Sequence, residues 1–380
     1  MPNWAERQAP QSHSRAEDDA SFDYNTKPVP ESILVFGASG HIGGPLAQHV
    51  RAISPGTQLR LVTSSPAKVD ELKTEFPDAE VVTADLLDVT TLIPALDGIE
   101  GAFIVTPDFL DTRRGMINFI AAAEKTGSLK HVIRLQGENP EVKKPEDLPE
   151  IVRGQYGTAL SHIYAREVFE MVSDYLPVTF LNALAYYMDD FLGMFGSGVR
   201  NSRVLAAPFD KIMTYIDTRD VGCAAANLLL ADDLRDIGVT VTIDNGHDYM
   251  YFSQVADLMT EILGEKITYD GSVATFKREN RKDFEFYWGS QAEEALDFCI
   301  RYFEWEQQVT NCVIPRYQLE HLLGRKPVTF AEWLHEHKDT MLGHSDQKLS
   351  RAWTQTSPAR VHQPASYTPS KVRTTTAAAG

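Results

Sequence analysis

Short apolar runs alternate with longer segments of mixed polarity through the middle of the chain. The runs have the length and composition of strands buried on both faces of a parallel sheet. The predicted strands cover residues 33–36, 59–63, 80–85, 101–105, 131–135, 178–181 and 239–243. The predicted helices include residues 42–53, a segment starting near 66 with Ser65 as N-cap, 92–96, 114–125 and 158–174. This alternation predicts an α/β fold with a doubly wound parallel sheet and helices on both of its faces.

Composition divides the chain into four parts. Residues 1–30 are polar and residues 343–380 are rich in Ser, Thr, Pro and Ala, so we expect both to be disordered tails, the second one basic. Residues 31–245 contain the predicted sheet, with an insertion facing a substrate near 186–215. Residues 246–342 are mostly helical and aromatic, which predicts a smaller C-terminal substrate lobe.

Charge and cysteine content exclude several classes of protein. The net charge of −17 disfavours nucleic acid as a partner, because an acidic surface repels phosphate backbones. No segment reaches the roughly 20 apolar residues that cross a bilayer, so we expect no membrane association. Cys223, Cys299 and Cys312 are far apart and show no metal-binding spacing. They are typical of reduced thiols, and we predict a cytoplasmic protein without a metal site.

The strongest motif lies between the first strand and the first helix. Residues 37–43 read G-A-S-G-H-I-G, in which glycines let the backbone approach a pyrophosphate while the helix N-terminus offers free N–H groups. This context predicts a dinucleotide-binding loop. The residues predicted to contact the cofactor here are Gly37, Ser39, Gly40, His41, Ile42 and Gly43.

The end of the second strand indicates which dinucleotide binds. An acidic residue there would hold a ribose 2′-hydroxyl and favour NAD, but this chain has Ser64, Ser65 and Lys68 with no acid before Asp70. Hydroxyls and a lysine suit a 2′-phosphate, so NADP (NADPH) is predicted, with NAD as the alternative. Asp85, after the third strand, is predicted to meet the adenine, or else to cap a helix.

At this point the chain resembles the NmrA-like group of atypical short-chain dehydrogenases/reductases over residues 32–341. The resemblance rests on the 37–43 loop, A-D-L at 84–86, G-I-E-G-A-F at 98–103, Y-I-D-T-R-D-V-G at 215–222 and L-G-R-K-P-V-T-F at 323–330. It implies a Rossmann core, a C-terminal substrate lobe and NADP or NAD in the cleft. Members of the group divide between reductases and regulators that bind the dinucleotide without turnover.

The chain departs from the Ser and Tyr-x-x-x-Lys set that ordinary superfamily members use. Its fifth strand ends in Gln136, and the following helix carries His162 and Arg166 where a proton donor and a ribose-binding lysine are expected. Arg166 keeps a charge that could hold ribose, and His162 could donate a proton near neutral pH. We therefore predict these two as the catalytic residues, and Thr106 and Gln136 as further cofactor contacts.

Other polar residues are open to two interpretations. Tyr186 and Tyr187 follow the sixth strand, where they would contact substrate or pack against the C-terminal lobe. The carboxylate pair at 189–190 is interpreted as solvated or helix-capping. Asp217 and Asp220 are interpreted as structural, one capping the helix that starts near Thr218 and the other tying that helix to the cleft. No Gly-x-Ser-x-Gly elbow supports hydrolase chemistry.

Two functions follow from these observations. The first is an NAD(P)H-dependent oxidoreductase acting on a small carbonyl, imine or enone, which analogy places in secondary metabolism. The alternative is a regulatory protein that senses NADP(H) without turnover and reports to a protein partner. The cofactor loop supports both, the aromatic lobe favours the first, and the missing Ser/Tyr/Lys set favours the second.

Overall fold

The structure is a computed structural model that describes residues 26–107, 110–150, 153, 158–309 and 313–344. Its strands are β1 Ser32–Phe36, β2 Gln58–Thr63, β3 Glu80–Thr83, β4 Gly101–Ile104, β5 His131–Gln136, β6 Val178–Ala183, β7 Tyr186–Tyr187, β8 Val204–Ala206, β9 Ile212–Ile216, β10 Thr240–Ile243, β11 Tyr249–Tyr251 and β12 Thr268–Asp270. Its α-helices are α1 Gly43–Ile53, α2 Val69–Glu75, α3 Val89–Leu96, α4 Thr112–Thr126, α5 Thr158–Glu170, α6 Gly196–Ser202, α7 Thr218–Leu230, α8 Phe252–Leu263, α9 Val273–Trp288, α10 Ala292–Glu306, α11 Gln318–Leu323 and α12 Phe330–Met341.

Seven strands form one parallel sheet in the order β10-β6-β5-β4-β1-β2-β3. Side chains alternate along each strand, so each strand contributes to two apolar layers. One layer includes Val35, Ile133 and residues of α1 and α7, and the other includes Leu34, Val132 and residues of α3, α4 and α5. The predicted doubly wound α/β fold is therefore confirmed, and each of its seven predicted strands is present.

A second apolar core forms the C-terminal lobe. It combines residues 184–215 with residues 250–342, and phenylalanine and tryptophan rings fill much of it. The predicted insertion thus packs with the lobe rather than with the sheet. The lobe also contains two small sheets, β11-β9-β7 and β12-β8, that were not predicted. Their strands have only two to five residues, too few for a periodic pattern to show.

The chain ends differ slightly from the predicted tails. Residues 26–30 belong to the described structure, because the Lys27 amine donates to the Leu229 carbonyl at 2.9 Å and Thr26 forms a bridge with Asp233. The rest of both predicted tails, 1–25 and 345–380, lies outside the described residues. Cys223 and Cys299 are partly buried thiols, and Cys312 lies outside the described part. None of the helices in that part is both long enough and apolar enough to cross a membrane.

Candidate functional site

The 37–43 loop turns tightly between β1 and α1. Gly37 has a φ of +68°, and the Gly40 N–H donates to its carbonyl at 2.8 Å. A Cβ at Gly43 would lie 2.4 Å from the same carbonyl oxygen, so only glycine fits where the helix begins. The first turn of α1 contains no acidic residue. The first turn of α1 therefore adds no negative charge of its own to the helix N-terminus, as suits an anion-binding turn.

Strands β2 and β3 lie beside this loop in the sheet. Ser64 follows β2 and is exposed, Ser65 precedes the 3-10 helix Pro66–Lys68 without a side-chain capping bond, and Lys68 ends that helix. Among residues 63–68 there is no acid, as the sequence shows. Asp85 follows β3 and accepts the Leu87 N–H at 2.9 Å, while Asp88, not Asp85, caps α3.

The carboxyl ends of β4 and β5 carry three polar side chains. The guanidinium of Arg134 is fully buried, and its Nη2 donates to Thr106 Oγ1 at 2.8 Å. Its Nη1 lies 3.5 Å from the Ile104 carbonyl and also contacts the carbonyl of Leu135. Arg134 Nε and both amide atoms of Gln136 are buried without a hydrogen-bond partner. Thr106 and Gln136, predicted separately, thus lie at the same edge of the sheet.

His162 reaches this edge from α5. Its Nε2 would lie 3.1 Å from a Cβ at Gly137, and its buried Nδ1 has no hydrogen-bond partner. Burial lowers the pKa of His162 to about 3, and the nearby guanidinium groups of Arg134 and Arg166 add to the effect. The imidazole is therefore neutral at pH 7, which differs from the expectation of a group that titrates near neutrality.

Arg166 lies one turn further along α5, and Glu138 engages its guanidinium. Arg166 Nε donates to the two Glu138 carboxylate oxygens at 3.0 and 2.8 Å, and Nη2 donates to Thr240 Oγ1 at 3.1 Å. The guanidinium also lies over the Phe180 ring, 4.5 Å from its centroid. Since Glu138 is almost fully buried, Arg166 neutralises a carboxylate inside the protein. The contact between Arg166 and a ribose of the cofactor stays a prediction.

Tyr187 and His41 link the 37–43 loop, called the phosphate loop below, to the C-terminal lobe. Their rings meet edge to face with centroids 5.8 Å apart. His41 Nδ1 lies 3.4 Å from Asp189 Oδ2, which also accepts the Thr218 hydroxyl at 2.8 Å. Burial raises the pKa of Asp189, but the nearby His41 ring and the hydrogen bond from Thr218 outweigh it and leave the pKa below its usual value. Asp189 is a largely buried anchor, so its interpretation as a solvated residue was wrong.

Tyr186 points away from this edge, into the core of the C-terminal lobe. Its hydroxyl donates to Glu306 Oε2 at 2.6 Å, and its ring packs against Phe195, Phe252 and Phe303. The buried amine of Lys211 contacts the same Glu306 oxygen and lies 4.6 Å from the Phe303 centroid. Of the two readings of Tyr186, the structure shows packing within the lobe.

Asp217 and Asp220 are structural, as predicted. Asp217 caps α7 through the Arg219 N–H at 2.8 Å. Asp220 accepts a bond from Arg325 at 2.6 Å and one from the Val328 N–H at 2.8 Å. It ties α7 to the closing 323–330 segment rather than to the cleft. In the described residues there is no group of three His, Cys, Asp or Glu side chains that could hold a metal ion.

A comparison with family models identifies the relationship. The model of the NmrA-like family matches residues 30–279, which is most of the chain. The chain belongs to the NmrA-like family. The match includes the phosphate loop, the polar edge of β4 and β5, and helix α5. No curated protein sequence matches the chain.

Solved structures share the fold of this NmrA-like chain. Triphenylmethane reductase from Citrobacter sp., complexed with NADP(H), has 19% identity and a TM-score of 0.62, and the alignment covers 83% of this chain and 100% of the reductase. An NADPH-dependent quinone oxidoreductase from Escherichia coli, complexed with NADPH, has 20% identity and a TM-score of 0.62, with 80% and 99% covered. A mutant of NmrA has 19% identity and a TM-score of 0.57, with 81% and 95% covered. With identities of 19–20%, these structures show that the fold is shared and nothing more.

Sequence reasoning missed two residues of the edge, Arg134 and Asp189. Arg134 had a visible signal, because it interrupts a strand that is otherwise apolar and predicted to be buried on both faces. A charged side chain in such a strand needs an opposite charge or a bound ligand to offset its burial. Asp189 had no comparable signal, since its partners His41, Thr218 and Trp333 come from three distant segments.

Proposed function

We propose that this NmrA-like protein is an NADP(H)-dependent oxidoreductase that acts on a small carbonyl, imine or enone. The observation that carries the proposal is the set of buried, unpartnered polar atoms on Arg134, Gln136 and His162 at the edge of the sheet that also carries the phosphate loop. Buried polar atoms without partners are rare in native proteins and call for a bound group. Strand ends beside a glycine loop are where dinucleotides bind in this type of sheet.

The residues present fit a dinucleotide. The 37–43 backbone would hold the pyrophosphate, and Ser64 and Lys68 would meet the 2′-phosphate next to β2. Gln136 offers a donor and an acceptor, and a ribose hydroxyl can pair with either. When bound, the reduced nicotinamide supplies a hydride equivalent. The complexes of the two similar reductases with NADP(H) support the choice of NADP over NAD.

The proton chemistry belongs to Tyr187 rather than to His162. A histidine with a pKa of about 3 is neutral at pH 7, so its role is to donate or accept a hydrogen bond. Tyr187 carries a hydroxyl that can release a proton, and its ring is held between the phosphate loop and the second lobe. We place the substrate against Tyr187 and assign the proton transfer to its Oη atom.

The sensor function is the second candidate, and two observations favour it. The chain lacks the Ser/Tyr/Lys set, and the histidine at the expected donor position does not titrate near neutral pH. A sensor would use the same dinucleotide cleft but would show no turnover. Binding alone therefore cannot separate the two candidates.

The deciding experiment measures NADPH binding by calorimetry and then NADPH oxidation with a panel of aldehydes, ketones, imines, enones and quinones. We expect micromolar or tighter binding and turnover with at least one class. Tyr187→Phe should lower turnover by about 10²–10⁴ with little change in NADPH affinity, the usual range for a lost general acid. Tyr175→Phe, at an exposed tyrosine in the connection between α5 and β6, is the matched control. Binding without turnover across the panel would replace the reductase with the sensor, and absence of binding would reject both.

A further inference from the structure

The guanidinium of Arg134 is a buried positive charge without a counter-charge. Only 1% of the residue is exposed, and every partner that it contacts in the described part of the chain is a neutral oxygen, from Thr106, Ile104 and Leu135. Neutral acceptors satisfy hydrogen bonds but do not balance charge. Burial lowers the pKa of Arg134 only to about 10, so the group stays protonated at pH 7.

The other arginines near the sheet show what is missing. Arg166 is paired with Glu138, and Arg60 on β2 is paired with Glu80 at 2.6 Å. Both are more exposed than Arg134 and yet both have a carboxylate. Buried charges in proteins are normally paired or bound to a ligand, because desolvation of a lone ion is costly. Arg134 departs from this rule at the edge where ligands bind.

The phosphates of a dinucleotide do not supply the missing charge. They would lie at the 37–43 loop after β1. The Nη atoms of Arg134 reach Thr106 and Ile104 at the end of β4, but the donors left unpaired, Arg134 Nε and Gln136 Nε2, belong to β5, two strands away in the order β5-β4-β1. With strands spaced by about 4.8 Å, the two positions are about 10 Å apart across the sheet. A second molecule beside β5 can supply the counter-charge and accept hydrogen bonds from Arg134 Nε and Gln136 Nε2.

We propose that Arg134 and Gln136 form an anion site at the floor of the cleft, and that the substrate brings a negatively charged oxygen to it. This inference rests on the proposed function, since the second molecule is taken to be the substrate. A carboxylate or an ionised phenol or enol has the required chemistry, because its oxygens accept charge-assisted bonds from a guanidinium. His162 adds a further polar group, because its Nε2 lies at Gly137, next to Gln136, and its buried Nδ1 has no hydrogen-bond partner.

The test compares charged probes with a neutral probe of similar shape. Benzoate, 4-nitrophenolate and benzamide are titrated by calorimetry into the protein, with and without saturating NADP, at pH 8. We expect benzoate or 4-nitrophenolate to bind at least about 10-fold more tightly than benzamide. Preference for benzoate would indicate a carboxylate substrate, and preference for 4-nitrophenolate an ionised phenol or enol. Equal binding of all three would overturn the inference.

Variants of Arg134 separate a binding role from a structural one. Arg134→Met should abolish the preference for the charged probe and leave the cofactor-free protein at least as heat-stable as wild type, since an unbalanced buried charge is removed. Arg134→Lys should keep part of the preference. Arg60→Met, which removes a paired strand arginine, should leave the preference intact. If Arg134→Met binds benzoate like wild type, or if it fails to fold, Arg134 is structural and the inference is wrong.

NADPH binding, measured separately by the fluorescence of the reduced nicotinamide, distinguishes this inference from the proposed function. If NADPH binds and no probe distinguishes charge, only the anion site fails. If NADPH does not bind but benzoate binds through Arg134, the anion site stands and the oxidoreductase proposal fails.

Discussion

Two buried cations, Arg134 at the sheet edge and Lys211 in the C-terminal lobe, show two ways in which this protein holds a positive charge. Lys211 contacts Glu306, which also accepts the Tyr186 hydroxyl, and aromatic rings enclose the group. Burial lowers the pKa of Lys211, while Glu306 acts in the opposite direction. Arg134 has no such carboxylate in the described residues. The ion pair of Lys211 and Glu306 is thus balanced within the lobe, whereas the proposed anion site leaves the balance of Arg134 to a ligand.

The first prediction tests whether the cleft next to Arg134 binds a dinucleotide. Gly43→Val should reduce NADPH binding below detection, because its Cβ would press on the Gly37 carbonyl from 2.4 Å and displace the loop. Calorimetry measures the loss. Gly56→Ala is the control, since a Cβ at Gly56 meets nothing within 4 Å. Wild-type affinity in Gly43→Val would show that the loop does not hold the phosphates.

The second prediction tests the buried ion pair between Lys211 and Glu306 in the C-terminal lobe. Glu306→Ala should lower the free energy of unfolding by about 3–5 kcal/mol, the usual cost of breaking a buried ion pair from one side. Urea denaturation measures it. The double variant Lys211→Met with Glu306→Leu should recover most of the loss, because no charge is then left unpaired. If Glu306→Ala is as stable as wild type, the contrast with Arg134 disappears, because we expect Arg134→Met to keep or raise the stability and Glu306→Ala to lower it.

The third prediction uses the pH dependence of stability. The pKa of His162 is about 3 in the folded protein and about 6.5 in the unfolded chain. Between these two pH values the unfolded chain therefore binds a proton that the folded protein does not. Stability therefore falls as the pH falls below about 6.5. His162 alone accounts for about 2 kcal/mol between pH 6.5 and 5.0.

His162→Gln should remove this contribution in the cofactor-free protein and make stability less dependent on pH. Urea denaturation at the two pH values measures the change. His335→Gln, at an exposed histidine, is the control. His131, whose pKa burial also lowers to about 3, keeps its own contribution in both variants. An unchanged pH dependence in His162→Gln would mean that its ring is solvated and does not belong to the buried edge.

The smallest expected effect concerns the choice of dinucleotide. Lys68→Ala should weaken NADPH binding by about 1 kcal/mol, or roughly fivefold, and leave NADH binding unchanged, because the lysine is only partly buried and would contact the 2′-phosphate, which NADH lacks. Lys73→Ala, at an exposed lysine on α2, is the control. Equal losses for NADPH and NADH would place Lys68 away from the 2′-phosphate.

Local sequence patterns were enough to predict the strands of the sheet and the tight glycine turn at 37–43. The seven runs correspond to the seven strands because the central strands are buried on both faces and are mostly apolar, while β3 and β10 at the two edges are partly exposed. Loop 37–43 was recognisable because close approach of two backbone segments excludes any Cβ, which leaves glycines at fixed spacing. The Asp217 cap was equally local, since a helix N-terminus is satisfied by the residue that precedes it.

Tertiary structure decided the roles of the charged and aromatic residues. Tyr186 and Tyr187 are adjacent in sequence, yet one packs in the lobe with Glu306 and the other meets His41. Arg166 on α5 forms an ion pair with Glu138, whereas Arg134 on β5 donates only to neutral oxygens. A charge takes its function from the partner that packs against it, and these partners come from segments far apart in the chain. The sequence by itself therefore determined where the backbone would go, and only the packed structure determined which charges were left for a ligand.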